Sequence, residues 1–301
     1  MARPAITVLV TDMDNTLFDW LEMWRTAFGA MLDRLVLDSG LPRGTLEEEL
    51  SAVHREHGTT EYAFAIQALP SLRARHPGED LPTRYAAAIE AYRTARRGTL
   101  KLYPGVLDTL RALRAAGTRV VAYTESRAFH ASYRARALGL DGVLDALYSP
   151  PDHALPDGLR LDDIRRYPPE HYGFRHTVHR HTREGAWKPD AAVLLDLLRG
   201  DLGAEPGEAV YVGDSLVKDV AMAQAAGVAD VFARYGDVRG RPGYDLLRRV
   251  SHWTPAMLAG AERLAEADVR PTHVLKSGFA ELLDLIEPRR FTPRRGDGQS
   301  E

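Results

Sequence analysis

An apolar run ends abruptly in two carboxylates in the segment Val8-Leu9-Val10-Thr11-Asp12-Met13-Asp14-Asn15-Thr16-Leu17. The residues from Ile6 to Val10 show no alternation of apolar and polar side chains, which is typical of a strand buried on both faces of a parallel sheet. Asp12 and Asp14 would then lie just past the carboxyl end of this strand, where open parallel α/β sheets bind their ligands. The segment therefore predicts a site in which one carboxylate attacks or holds a cation while the other handles a proton.

The pair of carboxylates alone is weak support for a site, because Asp is also common in turns and at helix N-termini. The longer string from Asp12 to Leu17, however, resembles the first motif of the haloacid dehalogenase-like hydrolases, a superfamily composed mainly of phosphatases. Three further motifs of that superfamily can be sought downstream.

Length and composition restrict the class of protein. The chain has 301 residues, 45% of them hydrophobic and 27% charged, which is enough for one substantial core and a smaller appended domain. A net charge of −3 gives no electrostatic reason to expect nucleic acid or an anionic membrane as a partner. The sequence has no cysteine, which excludes disulfides, thiolate metal sites and cysteine nucleophiles. Because no apolar run suits a signal peptide or a membrane span, we expect a soluble, cytoplasmic protein.

The pattern becomes helical between residues 18 and 98. Large apolar residues recur at three- and four-residue intervals from Trp20 to Leu35, and further helices are predicted from Thr45 to Glu56, from Glu61 to Leu69 and from Pro82 to Arg96. We interpret the aromatic residues of the first helix as core rather than as a ligand site, since large apolar side chains at helical spacing are usually buried. The sequence predicts a helical cap inserted directly after the first strand.

A second motif follows the apolar strand from Val120 to Tyr123. Thr124 closes this strand and resembles the superfamily's second motif, which implies that its hydroxyl and the neighbouring backbone N–H groups bind phosphate oxygens. Glu125 is counted with the substrate-side residues, although relatives often carry Asn there. Because a carboxylate repels a phosphate dianion, Glu125 is expected to pair with Arg127, to cap the following helix or to point toward the leaving group.

Residues 149 to 186 interrupt the regular pattern and are rich in Pro, His, Arg and Asp. An insertion of this length without regular structure is more often a lid or binding loop than filler. Its histidines offer an alternative metal site. We favour no metal there, because cysteine and helical His-pair spacing are missing and neighbouring arginines would oppose a cation. These histidines are His171, His176, His179 and His181.

The third and fourth motifs follow this insertion. Lys188 precedes Pro189 at the start of a predicted helix, where a cation would bring an aspartate nucleophile and a phosphate dianion together. Asp214 and Asp219 follow the apolar strand Ala209 to Val212. The resemblance implies a Mg²⁺ site. Its ligands would be Asp12, Asp14 through its backbone carbonyl, Asp214 and Asp219. Asp219 could bind the ion directly or through water, or pair with Lys188 instead.

The predicted fold is α/β, a doubly wound parallel sheet with an inserted helical cap. The core comprises residues 1–17 and 99–287, with insertions at about 149–186 and 237–271, and the cap comprises residues 18–98. Strands are expected at 228–234 and 272–276, and helices at 244–250, 255–267 and 279–286. The polar, Arg-rich tail 288–301 is expected to be disordered.

The resemblance covers roughly residues 6–20 and 100–235 and implies Mg²⁺-dependent hydrolysis of a small phosphorylated metabolite through an aspartyl-phosphate. Asp12 would be the nucleophile and Asp14 the acid and base, while Thr124 and Lys188 would bind the transferring phosphoryl oxygens. The second aspartate argues against a dehalogenase. A phosphomutase, a phosphonate hydrolase and a non-catalytic regulatory or scaffold protein are the alternatives; the last is expected to have lost a catalytic aspartate or the lysine.

Overall fold

The chain divides into two compact units in a computed structural model that describes residues 3–254, 256–257, 259 and 269–292. The first, here called the sheet unit, contains the described residues up to Asp19, Lys101–Asp237 and those from position 269 onward. The second, here called the helical unit, contains Trp20–Leu100 and the described residues from Val238 to position 259. The described residues from Val238 to position 259, which were expected within an insertion of the core at about 237–271, therefore group with the helical unit.

The strands of the sheet unit are β1 Ala5–Ile6, β2 Val8–Thr11, β3 Arg119–Tyr123, β4 Ala146–Ser149, β5 Val178–His181, β6 Ala209–Gly213, β7 Ala229–Ala233, β8 His273–Leu275 and β9 Glu287–Pro288. Seven of them form a parallel sheet in the order β5-β4-β3-β2-β6-β7-β8, and a separate two-stranded sheet pairs β1 with β9, also in parallel. This arrangement confirms the predicted α/β class.

The helices of the sheet unit follow or precede these strands. They are Val106–Ala115, Ala128–Ala137, Leu161–Ile164, Ala191–Leu195, Ala221–Ala225 and Leu282–Leu285, with π-helical turns at Asp196–Leu202 and Leu216–Val220 and 3₁₀ turns at Pro169–His171, Pro206–Glu208, Arg234–Gly236 and Phe279–Glu281. Every residue of β2 is buried, as expected for a central strand without alternation. Its side chains Val8 and Val10 join Val121, Val193 and Met222 in one hydrophobic cluster.

The two ends of the described chain meet in the small sheet. The predicted first strand is interrupted at Thr7, so that Ile6 lies in β1 while Val8 begins β2. Glu287 N donates to Pro4 O at 2.8 Å and Arg289 N donates to Ile6 O at 2.8 Å. The prediction of a disordered tail from Pro288 is therefore wrong for residues 288–291, because Pro288 and Arg289 pair with Ile6 of β1 and Phe291 N donates to Gly117 O at 3.0 Å. Residues 293–301 lie outside the described part.

The insertion 149–186 also differs from its prediction, because it supplies the edge strand β5. Val178–His181 pairs in parallel with β4 over four residues, from Ala146 opposite Val178 to Ser149 opposite His181. Three of these four residues are exposed, so the strand carries no apolar run that periodicity could detect.

The helical unit contains the helices Trp20–Ser39, Arg43–His57, Ala65–Ala68, Pro70–Arg75, Leu81–Arg84, Ala86–Thr99 and Tyr244–Val250. Trp24 and Phe28 are buried and their rings stack with centroids 4.9 Å apart. This burial confirms that Trp24 and Phe28 are core, whereas Trp20 is half-buried and its Nε1 donates to Glu61 Oε2 at 3.2 Å. None of the helices in the described ranges has the length and apolar character needed to cross a membrane.

The helix Tyr244–Val250 joins the helical unit through contacts with Arg43–His57. The buried ring of His54 donates from Nδ1 to Val250 O at 2.6 Å, and Arg249 Nε lies 3.1 Å from Glu47 Oε2. The sequence correctly predicts this helix but not its partners, since those lie almost two hundred residues earlier. Most of the predicted helix 255–267 lies outside the described residues.

Candidate active site

The register of the central strands brings the sequence motifs to one edge of the sheet. Thr11 of β2 lies opposite Ala122 of β3 and opposite Val212 of β6. Asp12, Thr124 and Asp214, which follow these strands within two residues, therefore meet at the carboxyl ends of neighbouring strands. Asp12 N donates to Val212 O at 2.8 Å, which fixes the backbone where the first motif leaves the sheet.

A buried lysine lies between two buried carboxylates at this edge. Lys188 Nζ is 2.5 Å from Asp12 Oδ1 and 2.8 Å from Asp219 Oδ1, and the exposed fractions of the three residues are 7%, 6% and 2%. Asp219 also accepts hydrogen bonds from the Tyr211 hydroxyl and from Ser215 N, each at 3.0 Å. The two carboxylates and these donors offset part of the cost of burying the charges of Lys188 and Asp219.

The pKa values of this cluster reflect burial and crowding. Burial raises the pKa of Asp12 to about 7, against the opposing effect of the Lys188 ammonium. Burial, together with the charges of Asp12 and Asp219, raises the pKa of Asp214 well above its usual range. Burial acts to lower the pKa of Lys188, but the neighbouring carboxylates outweigh it and raise that pKa. The site thus holds more negative charge than Lys188 alone compensates.

Carboxylate oxygens of Asp12, Asp214 and Asp219 lie within 4.8 Å of one another. Among the described residues this is the one cluster of His and carboxylate side chains with metal-ligating spacing, and none of the four histidines of the insertion belongs to it. Hard oxygen donors that repel one another fit a divalent cation such as Mg²⁺. Asp219 lies both in this group and beside Lys188. It is therefore placed for both roles between which the sequence did not decide, namely metal ligand and ion-pair partner of Lys188.

Asp14 lies in a polar pocket that the sequence analysis missed. Ser126 Oγ donates to Asp14 Oδ2 at 2.6 Å, Arg134 Nη1 lies 3.4 Å from Asp14 Oδ1, and Thr124 Oγ1 lies 3.5 Å from Oδ2. Arg134 also donates to Ser126 Oγ at 2.9 Å and is only 1% exposed. The sequence signal that could have indicated a buried Arg134 is its spacing, because it follows Ala131 by three residues and so lies on the same buried face of the helix.

Glu125 connects the second motif with the third and the fourth. Its Oε1 accepts from Lys188 N at 2.9 Å, and its Oε2 lies 2.5 Å from Lys218 Nζ. Burial acts to raise the pKa of Glu125, but the Lys218 and Lys188 charges outweigh it and hold that pKa below its usual value. Of the three alternatives for Glu125, pairing with Arg127 and capping of the following helix are wrong, because Arg127 lies 3.2 Å from Glu184 and the helix Ala128–Ala137 has no side-chain cap hydrogen bond. Lys218, distant in sequence, pairs with Glu125 instead.

Two glycines allow the backbone to approach the site closely. A Cβ atom on Gly213 would lie 2.2 Å from Asp219 Cγ, and one on Gly236 would lie 2.0 Å from Asn15 O. Real Cβ atoms do not make such contacts. Glycine at these positions therefore lets Asp219 pack against the end of β6 and lets the turn after Asp14 pack against the 3₁₀ turn Arg234–Gly236.

The site and fold agree with comparisons to known families. A family model for haloacid dehalogenase-like hydrolases matches residues 6–161, and a model for HAD-hydrolase-like domains matches residues 187–282. The chain belongs to the haloacid dehalogenase-like hydrolases. This membership confirms the family and the hydrolase class that the four motifs predicted.

Two similar curated proteins are phosphatases. The glyceraldehyde 3-phosphate phosphatase of Methanopyrus kandleri is 28% identical over 235 residues, which cover 77% of this chain and 85% of that protein. The phosphoglycolate phosphatase of Pseudomonas putida is 29% identical over 237 residues, which cover 78% of this chain and 72% of that protein. The solved structure of a 2-haloacid dehalogenase from Pseudomonas syringae shares the fold, with a TM-score of 0.51 at 20% identity over 93% of this chain and 97% of that chain.

Proposed function

We propose that this protein is a Mg²⁺-dependent phosphatase that hydrolyses a small phosphomonoester through an aspartyl-phosphate on Asp12. The observation that carries the proposal is the buried Asp12 carboxylate at a strand end, 2.5 Å from the buried Lys188 ammonium and two residues before Asp14. The enzyme is a hydrolase acting on phosphoric monoester bonds, the class to which its curated relatives belong.

Phosphoryl transfer to the enzyme would begin with attack of an Asp12 carboxylate oxygen on phosphorus. The bond between phosphorus and the ester oxygen breaks, and Asp14 donates a proton to that departing oxygen. Lys188 and the Thr124 hydroxyl would stabilise the negative charge on the transferring phosphoryl oxygens. Because Lys188 is buried beside the nucleophile, its attraction for the phosphoryl group acts in a medium that screens it weakly.

Release of phosphate would use the same residues in the reverse order. Asp14, now without its proton, accepts one from a water molecule, which attacks phosphorus and displaces Asp12. Inorganic phosphate leaves, and both aspartates return to their starting states. No residue that this sequence of steps requires is missing, which argues against the non-catalytic alternative.

Mg²⁺ would be held by oxygens of Asp12 and Asp214, by the Asp14 backbone carbonyl and by Asp219, directly or through water. When bound, it supplies positive charge that offsets the repulsion between these carboxylates and an incoming phosphate dianion. The pKa values of Asp12 and Asp214 are raised first by burial and then by the neighbouring carboxylates, and a divalent cation would offset both effects.

A small phosphorylated metabolite is the substrate class that we propose. The named relatives act on glyceraldehyde 3-phosphate and on phosphoglycolate, both small phosphomonoesters. The dehalogenase alternative is disfavoured by Asp14, whereas phosphomutase and phosphonate hydrolase activities are distinguished from phosphatase activity by the products formed.

Substitution of Asp12 tests the mechanism. Asp12→Asn should abolish turnover of an aryl phosphate, and Asp14→Asn should reduce it by about a hundredfold or more, since general acid–base catalysis typically contributes about 10²–10⁴. Inorganic phosphate release with Mg²⁺ present is the measurement. Asp284→Asn, an exposed aspartate of the sheet unit, is the matched control and should retain activity. Undiminished turnover by a folded Asp12→Asn protein would exclude the proposed nucleophile.

Removal of divalent ions tests the metal assignment. EDTA should eliminate activity, and Mg²⁺ should restore it, because the carboxylate cluster otherwise repels the substrate. Calorimetric titration of the substrate-free protein with Mg²⁺ should show one site in the wild type and none in Asp214→Asn. Full activity in excess EDTA would contradict a metal-dependent reaction.

A further inference from the structure

Arg134 is a buried charge in the helix that follows the second motif. It lies in the helix Ala128–Ala137 and is 1% exposed, although arginine is rarely buried without a specific partner. Its guanidinium carbon lies 5.9 Å from the centroid of the Phe18 ring. Because desolvating a guanidinium is costly, the groups around it must provide compensating interactions.

The compensating groups converge on Asp14. Arg134 Nη1 lies 3.4 Å from Asp14 Oδ1 and donates to Ser126 Oγ at 2.9 Å, while the Ser126 hydroxyl donates to Asp14 Oδ2 at 2.6 Å. Arg134 thus reaches one carboxylate oxygen directly and the other through Ser126. The two contacts restrain rotation of the Asp14 carboxylate about its bond to the rest of the side chain.

Direct substrate binding does not explain this arginine. Its side chain is 1% exposed, whereas the Asp14 side chain that it contacts is 22% exposed. A group of the substrate would meet Asp14 first. The orientation of Asp14 is therefore the property of the site that Arg134 can influence.

We propose that Arg134 is a positioning residue that acts with Ser126 to hold the Asp14 carboxylate in the orientation needed for proton transfer to the leaving oxygen. This inference rests on the proposed function, in which Asp14 is the general acid. Proton donation is needed most when the departing oxygen is a strongly basic alkoxide and least when it is a weakly basic phenolate. A positioning role therefore predicts a loss that depends on the leaving group.

The test measures kcat/KM for a series of phosphomonoesters, from p-nitrophenyl phosphate to a simple alkyl phosphate. This parameter reports the steps up to departure of the leaving group. Arg134→Met should lower it by about a hundredfold for the alkyl ester and by only a few-fold for the nitrophenyl ester, following the usual contribution of general acid catalysis. KM should change little for either ester, and Arg134→Lys should recover part of the loss.

The matched control is Arg136→Met on the same helix, because Arg136 donates to His171 O and not to Asp14. It should leave the leaving-group dependence unchanged. Equal losses on both esters for Arg134→Met would indicate a merely structural role, and a loss confined to KM would indicate substrate binding. Either result overturns the proposal.

Ser126→Ala provides a second route to the same answer should Arg134→Met fail to fold. It removes the link between Arg134 and Asp14 Oδ2 without leaving a buried charge unpaired. We expect the same dependence on the leaving group, with about a tenfold loss for the alkyl ester. Unchanged kcat/KM across the series would overturn the proposal.

Asp14→Asn separates failure of this inference from failure of the proposed function. If the loss of kcat/KM in Asp14→Asn depends strongly on the leaving group while the losses in the Arg134 and Ser126 variants do not, only the positioning role is wrong. If Asp14→Asn loses kcat/KM equally for both esters, or if the wild type hydrolyses neither ester, the proposed function itself is wrong.

Discussion

Glu125 carries two interactions that substitutions can separate. Its Oε1 accepts from the backbone N–H of Lys188, the proposed phosphoryl-binding lysine, and its Oε2 pairs with Lys218, whose side chain is 47% exposed. The exposed ion pair should contribute about 0–1 kcal/mol, whereas an unpaired buried N–H costs about 1–3 kcal/mol. The backbone contact is therefore the more important for placing Lys188.

We expect Glu125→Gln to retain kcat/KM on an aryl phosphate within about fivefold, because glutamine still offers an oxygen to Lys188 N. Glu125→Ala should lose about tenfold or more, since it removes that acceptor. Lys218→Met is the matched control and should resemble Glu125→Gln. Equal losses in the Gln and Ala variants would show instead that the charge of Glu125 is what matters.

At the level of the secondary-structure elements, the end of β6 depends on a close approach between its backbone and a following side chain. Gly213 ends this strand, and the π-helical turn Leu216–Val220 returns Asp219 against it. A Cβ atom on Gly213 would lie 2.2 Å from Asp219 Cγ, so that any larger residue must displace the carboxylate. Because Asp219 contacts Lys188, moving the Asp219 carboxylate would also disturb the position of Lys188 in the site.

Gly213→Ala should lower the free energy of unfolding by about 1–3 kcal/mol, as overpacking of a filled interior does, and should also reduce turnover. Gly29→Ala in the helix Trp20–Ser39 is the control, since no atom lies within 4 Å of its added Cβ. That substitution should stabilise the protein by roughly 0.5–1 kcal/mol. Chemical denaturation of both variants gives the comparison. A fully stable and active Gly213→Ala protein would contradict the close packing.

For the molecule as a whole, the pH dependence of unfolding should include a contribution from His179. This residue of β5 is partly buried, and its Nε2 lies 2.8 Å from Ser149 Oγ. Burial, together with the nearby His181, lowers the pKa of His179 from 6.5 to about 4, while Asp152 acts in the opposite direction. The unfolded chain therefore binds a proton at a higher pH than the folded chain does.

Stability from neutral His179 is fully present above pH 6.5 and should be lost as the pH falls from 6.5 to about 4. We expect the melting temperature of His179→Gln to fall less steeply than that of the wild type in this interval. Exposed His171→Gln is the control and should follow the wild type. Parallel curves for His179→Gln and the wild type would exclude the contribution.

Local patterns in the sequence were sufficient to predict the α/β class, the central strands and the positions of the four motifs. β2 and β6 are uninterrupted apolar runs because both faces of a central parallel strand are buried. Asp12, Thr124 and Asp214 could be placed together because parallel strands present their carboxyl ends at one edge of a sheet. These properties depend on residues that are neighbours in sequence, which is why they could be read directly.

Tertiary structure alone decided which distant side chains complete the site. Lys218 reaches Glu125 across 93 positions and Arg134 reaches Asp14 across 120 positions, and no periodicity encodes such pairings. The strands β5 and β9 carry no apolar run, so their formation depends on backbone pairing with β4 and β1. Local motifs in the sequence thus located the candidate catalytic residues, whereas the distant side chains that contact them depend on the packing of the folded chain.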